Sequence, residues 1–224
     1  LMATTKKTAA KKKSIDDNHI ISLYMDYVLA HQATPKNIFT FCKENAIDET
    51  DFYSFFGSFG NLRQMIWVKF FENVQQTILK DDAYPTYSDK NKLLTLYFSL
   101  FELLMLNRSY VVYSLKENDK GLKNLTDLKL FRNEFKAFIN QIIAENPKPD
   151  FVKLDKLTKP VFSEGAWIQF LLLLKYWIED TSKGFEKTDI LIEKSVNTVV
   201  DLLDTKPLES LIDLGKFLWK ERKM

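Results

Sequence analysis

TPKNIFTFCKENAIDETDFYSFFGSFGNL, residues 34–62, is the stretch from which the fold is read. Thr34 is a capping residue followed at once by Pro35, and proline suits the first position of a helix because its missing N–H would have no partner there. A helix is therefore expected from about Pro35, with Ile38, Phe41 and Cys42 at i, i+3 and i+4 on one face. Asn45-Ala46 supplies a turn in which asparagine tolerates a left-handed backbone. Asp48 then caps a second helix, Glu49 adds negative charge to its first turn, and Phe52, Phe55 and Phe56 share a face. Gly57-Ser58 closes that helix and caps the next. Two short helices joined by so tight a turn make a helix-turn-helix.

The segment IDETDFYSFFGSFGNL, residues 47–62, resembles without a gap the recognition-helix segment of the TetR family of transcriptional regulators. Tyr53 and Phe56 stand at the family's Tyr and Phe, Ser58 at the cap of its fourth helix and Leu62 at the core position that follows. The resemblance covers residues 18–66 in detail and the remainder as an all-helical body of the right length. It implies an all-α, TetR-like fold: a basic arm (1–17), a three-helix helix-turn-helix unit (18–66), and a larger helical domain for ligand binding and dimerisation (67–224). It further implies a ligand-responsive homodimer on duplex DNA, with Thr50, Tyr53, Ser54 and Lys36 as the DNA-contacting residues. Half-sites about one helical turn apart would then match the two recognition helices.

The chain departs from the family pattern in charge. Family members commonly place Lys, Gly and Thr after the helix cap and a further Lys at the start of the fourth helix, whereas Glu49, Thr50, Asp51 and Phe59 stand there in this chain. A carboxylate about 4 Å from a phosphate is repelled by roughly 1 kcal/mol in water and about 4 at an intermediate dielectric. Each missing basic contact also removes counterion release. Between Asp16 and Leu62 seven acids face only Lys36 and Lys43, a net charge of −5 on the segment expected to read DNA. That is the wrong sign for a nucleic-acid footprint.

Overall net charge is +2, but Lys6, Lys7, Lys11, Lys12 and Lys13 alone contribute +5, leaving −3 for the rest. The basic character belongs to the tail. Residues 1–17 are a low-complexity Lys/Ala/Thr segment, readable as a solvated arm, as one that follows the minor groove, or as one drawn to anionic membrane. No apolar run follows those lysines, so a secretory signal is not expected. The longest apolar run, near Ala166 to Leu174, is far short of the ~20 residues that cross a bilayer. With 46% hydrophobic and 28% charged residues the chain has ample core, and its single cysteine, Cys42, excludes an internal disulfide. A cytoplasmic protein is expected.

The other helices follow from periodicity. The first is expected over Asn18 to His31. The fourth is expected from Ser58 to about Leu79, with Leu62, Ile66, Phe70, Val74 and Ile78 in i+4 succession, and in the family such a helix carries the ligand signal. Further helices are expected near 89–107, 110–115, 125–145, 163–181 and after Lys183-Gly184, with a terminal one from Lys206 and a loop at Pro147-Lys148-Pro149. AWIQFLLLLKYW in the eighth is too apolar for a helix with one buried side. Such a helix is expected to be buried on two sides, and the resemblance implies that the eighth and ninth helices form a four-helix dimer interface through Trp167, Phe170, Leu171, Leu174, Ile192, Val196, Val199 and Leu203.

Aromatic residues make up 14% of the chain and crowd the middle helices. Core packing is one reading. The other is a pocket for an apolar or aromatic small molecule lined by Phe98, Phe101, Tyr110, Tyr113, Phe131, Phe135 and Trp167. Arg108 and Lys175 are the charges nearest to those runs, placed either to meet an anionic ligand group or to snorkel to the surface. No glycine-rich phosphate loop, metal-ligand cluster or nucleophile signature is present, so neither catalysis nor a cofactor is expected. Two functional readings remain: the ligand-responsive regulator, and a TetR-fold accessory protein that binds a lipid-like or other apolar molecule without DNA, as in TetR-fold proteins of ubiquinone synthesis.

Overall fold

A computed structural model describes residues 15–116, 125–145 and 155–203, without the side chains of 145, 155–159, 202 and 203. The chain divides into two compact units, Leu1–Arg63 and Gln64–Met224. Among the described residues all regular structure is helical.

In the first unit, α1 (Asp17–His31) is opened by the Asp16 carboxylate, which accepts from the His19 N–H at 2.8 Å. Its apolar residues Ile20, Ile21, Tyr24 and Val28 are buried. The second helix, α2 (Ile38–Glu44), begins three residues later than Pro35. Asn37 takes the cap that Thr34 was expected to supply: its backbone is extended and its side-chain oxygen accepts from the Thr40 N–H at 2.8 Å. The turn also differs in detail, because Ala46 (φ 54°), not Asn45, takes the left-handed conformation. Asn45 instead donates its side-chain amide to the Phe41 carbonyl at 2.8 Å.

Asp48 occupies the N-cap of α3 (Glu49–Phe55), and its carbonyl accepts from Asp51 and Phe52. Phe52 and Phe56 are buried, but Phe55 is 43% exposed. The helix ends at Phe55 and Phe56 is extended, so the three aromatics do not share one face. Ser58 caps α4 (Phe59–Ile78) by accepting from the Asn61 N–H at 3.1 Å. Phe41 is the hub of the small core, with ring centroids at 6.3 Å from Tyr24, 6.3 Å from Phe52 and 5.6 Å from Phe59. Burying one such ring stabilises by about 1.5–3 kcal/mol.

In the second unit, a 3₁₀ turn at Tyr84–Thr86 follows α4, and Ser88 caps α5 (Asp89–Leu106). Then come α6 (Arg108–Lys116), a 3₁₀ turn at Thr126–Leu128 running into α7 (Lys129–Glu145), and α8 (Asp155–Glu179). A 3₁₀ turn at Lys183–Phe185 leads into α9 (Glu186–Leu203), with Gly184 at φ 62°, a left-handed position that glycine takes without strain. Expected boundaries hold to within two residues at most ends. The exceptions are the start of α2, the start of α7, which follows the 3₁₀ turn four residues after Leu125, and α8, which starts eight residues before Ser163 and runs through Pro160, whose missing N–H leaves one intrahelical bond unmade. The 147–149 loop and the helix expected from Lys206 lie outside the described residues.

The core of this unit is aromatic. Phe131 and Phe135 of α7 meet Trp167 and Phe170 of α8, with centroids 5.2–5.8 Å apart, mostly edge to face. Between α7 and α8, Glu164 accepts from Arg132 at 2.7 and 2.8 Å and from Lys136, and these bonds hold its carboxyl below the usual range.

Candidate functional site

The surface of α3 is the candidate reader. Thr50, Tyr53 and Ser54 are exposed, Tyr53 by 52%, while Phe52 and Phe56 anchor the helix from beneath. Ser54 donates its hydroxyl to the Asp51 carbonyl at 2.7 Å. Lys36 is exposed in the segment before α2. These four residues are therefore accessible, and the same surface is acidic. Burial of Cys42, together with the charges of Glu49, Asp48 and Asp51, pushes its thiol up to about 11. The field at α3 is thus felt as negative even at a buried neighbour.

Of the aromatic residues expected to line a ligand pocket, Phe101, Tyr110, Phe131, Phe135 and Trp167 are buried, Tyr113 is half-buried and Phe98 is 37% exposed. Phe131, Phe135 and Trp167 pack on one another and on Phe170. They form part of the aromatic core of this unit.

A cavity of about 320 Å³ lies elsewhere in the same unit. It is lined by Leu79 at the end of α4, Tyr84 and Pro85 in the 3₁₀ turn, Lys92 of α5, and Phe138, Gln141 and Ile142 of α7. None of the seven expected residues is in that lining.

Trp167, Phe170, Leu174, Ile192 and Val196 are buried in the chain's own core, Leu171 and Val199 are half-buried, and the side chain of Leu203 is outside the described residues. The outward side of α8 carries Val161, Ile168, Leu172 and Tyr176, and α9 adds Ile190. Leu172 and Leu174 sit about 200° apart around the helix, so one faces out when the other faces in.

Among the described residues no group of three or more His, Cys, Asp or Glu is placed to hold a metal ion, and no helix is long and apolar enough to cross a membrane. The family model described as tetracyclin repressor-like, C-terminal domain, matches residues 92–218, more than half of the chain. The chain belongs to the TetR family. No curated protein matches it.

In this TetR-family body two polar arrangements had no signal in the sequence. Arg108, at the start of α6, donates to the carbonyls of Trp177 and Ile178 at 3.1 Å and lies 4.3 Å from the centroids of Trp177 and Phe185. Burial lowers its pKa and the charge of Asp180 raises it. It therefore terminates α8 and is not offered to a ligand, whereas Lys175 is exposed. The second arrangement starts at buried Tyr97, which donates to the Ala166 carbonyl at 2.9 Å and to Gln169 at 3.3 Å. Gln169 in turn donates to Ser195 at 2.9 Å, so one polar chain crosses α5, α8 and α9. Burial drives the Tyr97 phenol well above its ordinary range and keeps it a donor. Only the inward phase of each residue hints at these contacts, since their partners lie up to 72 residues away.

Proposed function

We propose that this TetR-family protein is a cytoplasmic, ligand-responsive transcriptional regulator that reads duplex DNA as a homodimer. What carries the reading is α3, a helix held by Phe52 and Phe56 that offers Thr50, Tyr53 and Ser54 outward, with Lys36 exposed in the segment before α2. Tyr53 and Ser54 supply groove contacts, Lys36 a phosphate contact, and the lysines of residues 1–17 the salt-sensitive attraction. Dimerisation through α8 and α9 uses the outward Ile168, Leu172, Tyr176 and Ile190. An apolar face of that extent needs a cover, and a second copy supplies the self-complementary one.

A specific observation favours the second reading. Asp48, Glu49 and Asp51 surround the start of α3, where a phosphate-binding helix carries cations. On that reading the protein keeps the fold and the ligand, and drops DNA. Selection of duplexes from random sequence, at low and physiological salt, decides between them. It uses the full chain and a variant lacking residues 1–17. A palindrome enriched by both supports the regulator. Binding that needs the arm, vanishes at physiological salt and enriches no sequence supports the accessory protein.

A further inference from the structure

Besides the outward side of α8, α5 carries an exposed apolar stripe among the described residues. Phe98 and Met105 are 37% and 41% exposed, and Leu94, one turn before Phe98, is half-buried. Spaced by four and seven residues, the three fall within about 40° of one another around the helix. The path of α9 shows which part of the chain arrives beside this stripe. At its start, Phe185 stacks on Trp177 and on Arg108, just beyond the end of α5. Midway, Ser195 accepts from Gln169, which itself accepts from Tyr97, midway along α5. The two helices therefore run antiparallel, and Leu203, the last residue of α9, lies level with the start of α5.

We propose that residues 207–222 form a helix that returns parallel to α5 and covers this stripe, with Leu208 against Leu94, Ile212 against Phe98 and Trp219 against Met105. The residues after Leu203 repeat the spacing of α5: Leu208, Ile212 and Trp219 are also four and seven residues apart. Leu211 and Leu218 flank them, while Glu209, Asp213, Lys216 and Lys220 fall away from that stripe. Pro207 suits a first helical turn, and residues 204–206 are left for the reversal. The length fits too, since 21 residues follow Leu203 and α5 has 18. Both helices rise about 1.5 Å per residue, so one register brings all three pairs to the same height. Gly215 then stands level with Phe101, where the missing side chain permits close approach. The repeated spacing selects this segment over a second copy, whose contact with α5 needs no such match. With α5 covered from within the chain, the outward side of α8 is left for a second copy.

Cysteine pairs in the full chain test the register. Phe98→Cys with Ile212→Cys, treated with a short bismaleimide, should cross-link within the chain about tenfold more than Phe98→Cys with Ser210→Cys, whose second cysteine sits about 160° further around the helix. Cys42 is buried and does not compete. Peptide mapping of mixed isotope-labelled and unlabelled chains separates links within a chain from links between chains. Equal yields from the two pairs, or links between chains alone, overturn the proposal. Where a double variant does not fold, oxidation of Met105 by hydrogen peroxide, read by mass spectrometry, takes its place. Ile212→Lys should speed that oxidation several-fold over wild type while Met65, in α4, keeps its rate. An unchanged rate at Met105 overturns the proposal as well.

Discussion

The guanidinium of Arg108 stacks 4.3 Å from the Trp177 ring and donates to the Trp177 carbonyl at 3.1 Å. One side chain thus satisfies the end of α8 and covers the aromatic surface behind it. Arg108→Ala should lower stability by about 2–3 kcal/mol, combining a charge-assisted hydrogen bond with a partly desolvated cation–π contact. Arg108→Lys should recover less than half, because an ammonium cannot span both carbonyls while lying flat on the ring. Urea midpoints of the three proteins check this; an unchanged midpoint in Arg108→Ala would remove Arg108 from the account of α8.

Asp180 ties the turn between α8 and α9. Its carboxylate accepts from the Thr188 hydroxyl at 2.6 Å, the Thr188 N–H at 3.0 Å, and the Ser182 hydroxyl and N–H at 2.7 and 2.8 Å. Burial raises its pKa, but these bonds outweigh burial and bring it to about 2. The folded value is depressed, so at pH 3 the unfolded chain binds more protons. The stabilisation is therefore present above about pH 4 and is lost as pH falls toward 2. Asp180→Asn should flatten that acid limb in a pH series of thermal unfolding, and a limb as steep as in the wild type would count against the assignment.

The two sides of α8 should respond oppositely to charge. Leu172 is 63% exposed and Leu174 fully buried. Leu172→Asp should yield a folded monomer by sedimentation and circular dichroism if the outward stripe holds the dimer. Leu174→Asp should not fold, since an unpaired carboxylate in an apolar core costs several kcal/mol. A folded Leu172→Asp dimer would move the interface elsewhere.

Charge at α3 should set duplex affinity. Thr50→Lys places a cation on an exposed position beside Glu49 and Asp51, and should strengthen low-salt duplex binding and steepen the dependence of log affinity on log salt by about 0.9. Filter binding across a salt series measures the slope. If it does not change, α3 does not approach the phosphates.

Cys42 should be inert in the native protein. A thiol pushed up to about 11 by burial and by Glu49, Asp48 and Asp51 is ~0.1% thiolate at pH 8. Alkylation at that pH should proceed only with unfolding, at a rate that rises with urea.

Much of this was legible in the residues, and what was missed has a common cause. Ser58 caps α4 by a bond that reaches only three residues ahead, so local order suffices to find it; Asp16 and Ser88 cap α1 and α5 in the same way and were not singled out. Thr34 and Asn37 are both competent caps, and Asn37 takes the position because the helix begins at Ile38. The all-round apolar sequence of α8 carries no phase, so nothing in it separates Leu174 from Leu172.

The sequence by itself determined that this chain is helical, where most helices begin and end, and that residues 47–62 hold a short helix with an acidic surface and the start of the next. Those properties depend on caps, periodicity and charge within a few residues of one another. Tertiary structure alone decided that Phe131, Phe135 and Trp167 pack as core, that Arg108 closes a helix whose end lies 69 residues away, and that Lys92 turns inward to a cavity. A side chain's role as wall, clamp or core depends on which distant surface meets it, and that is settled only when the helices pack.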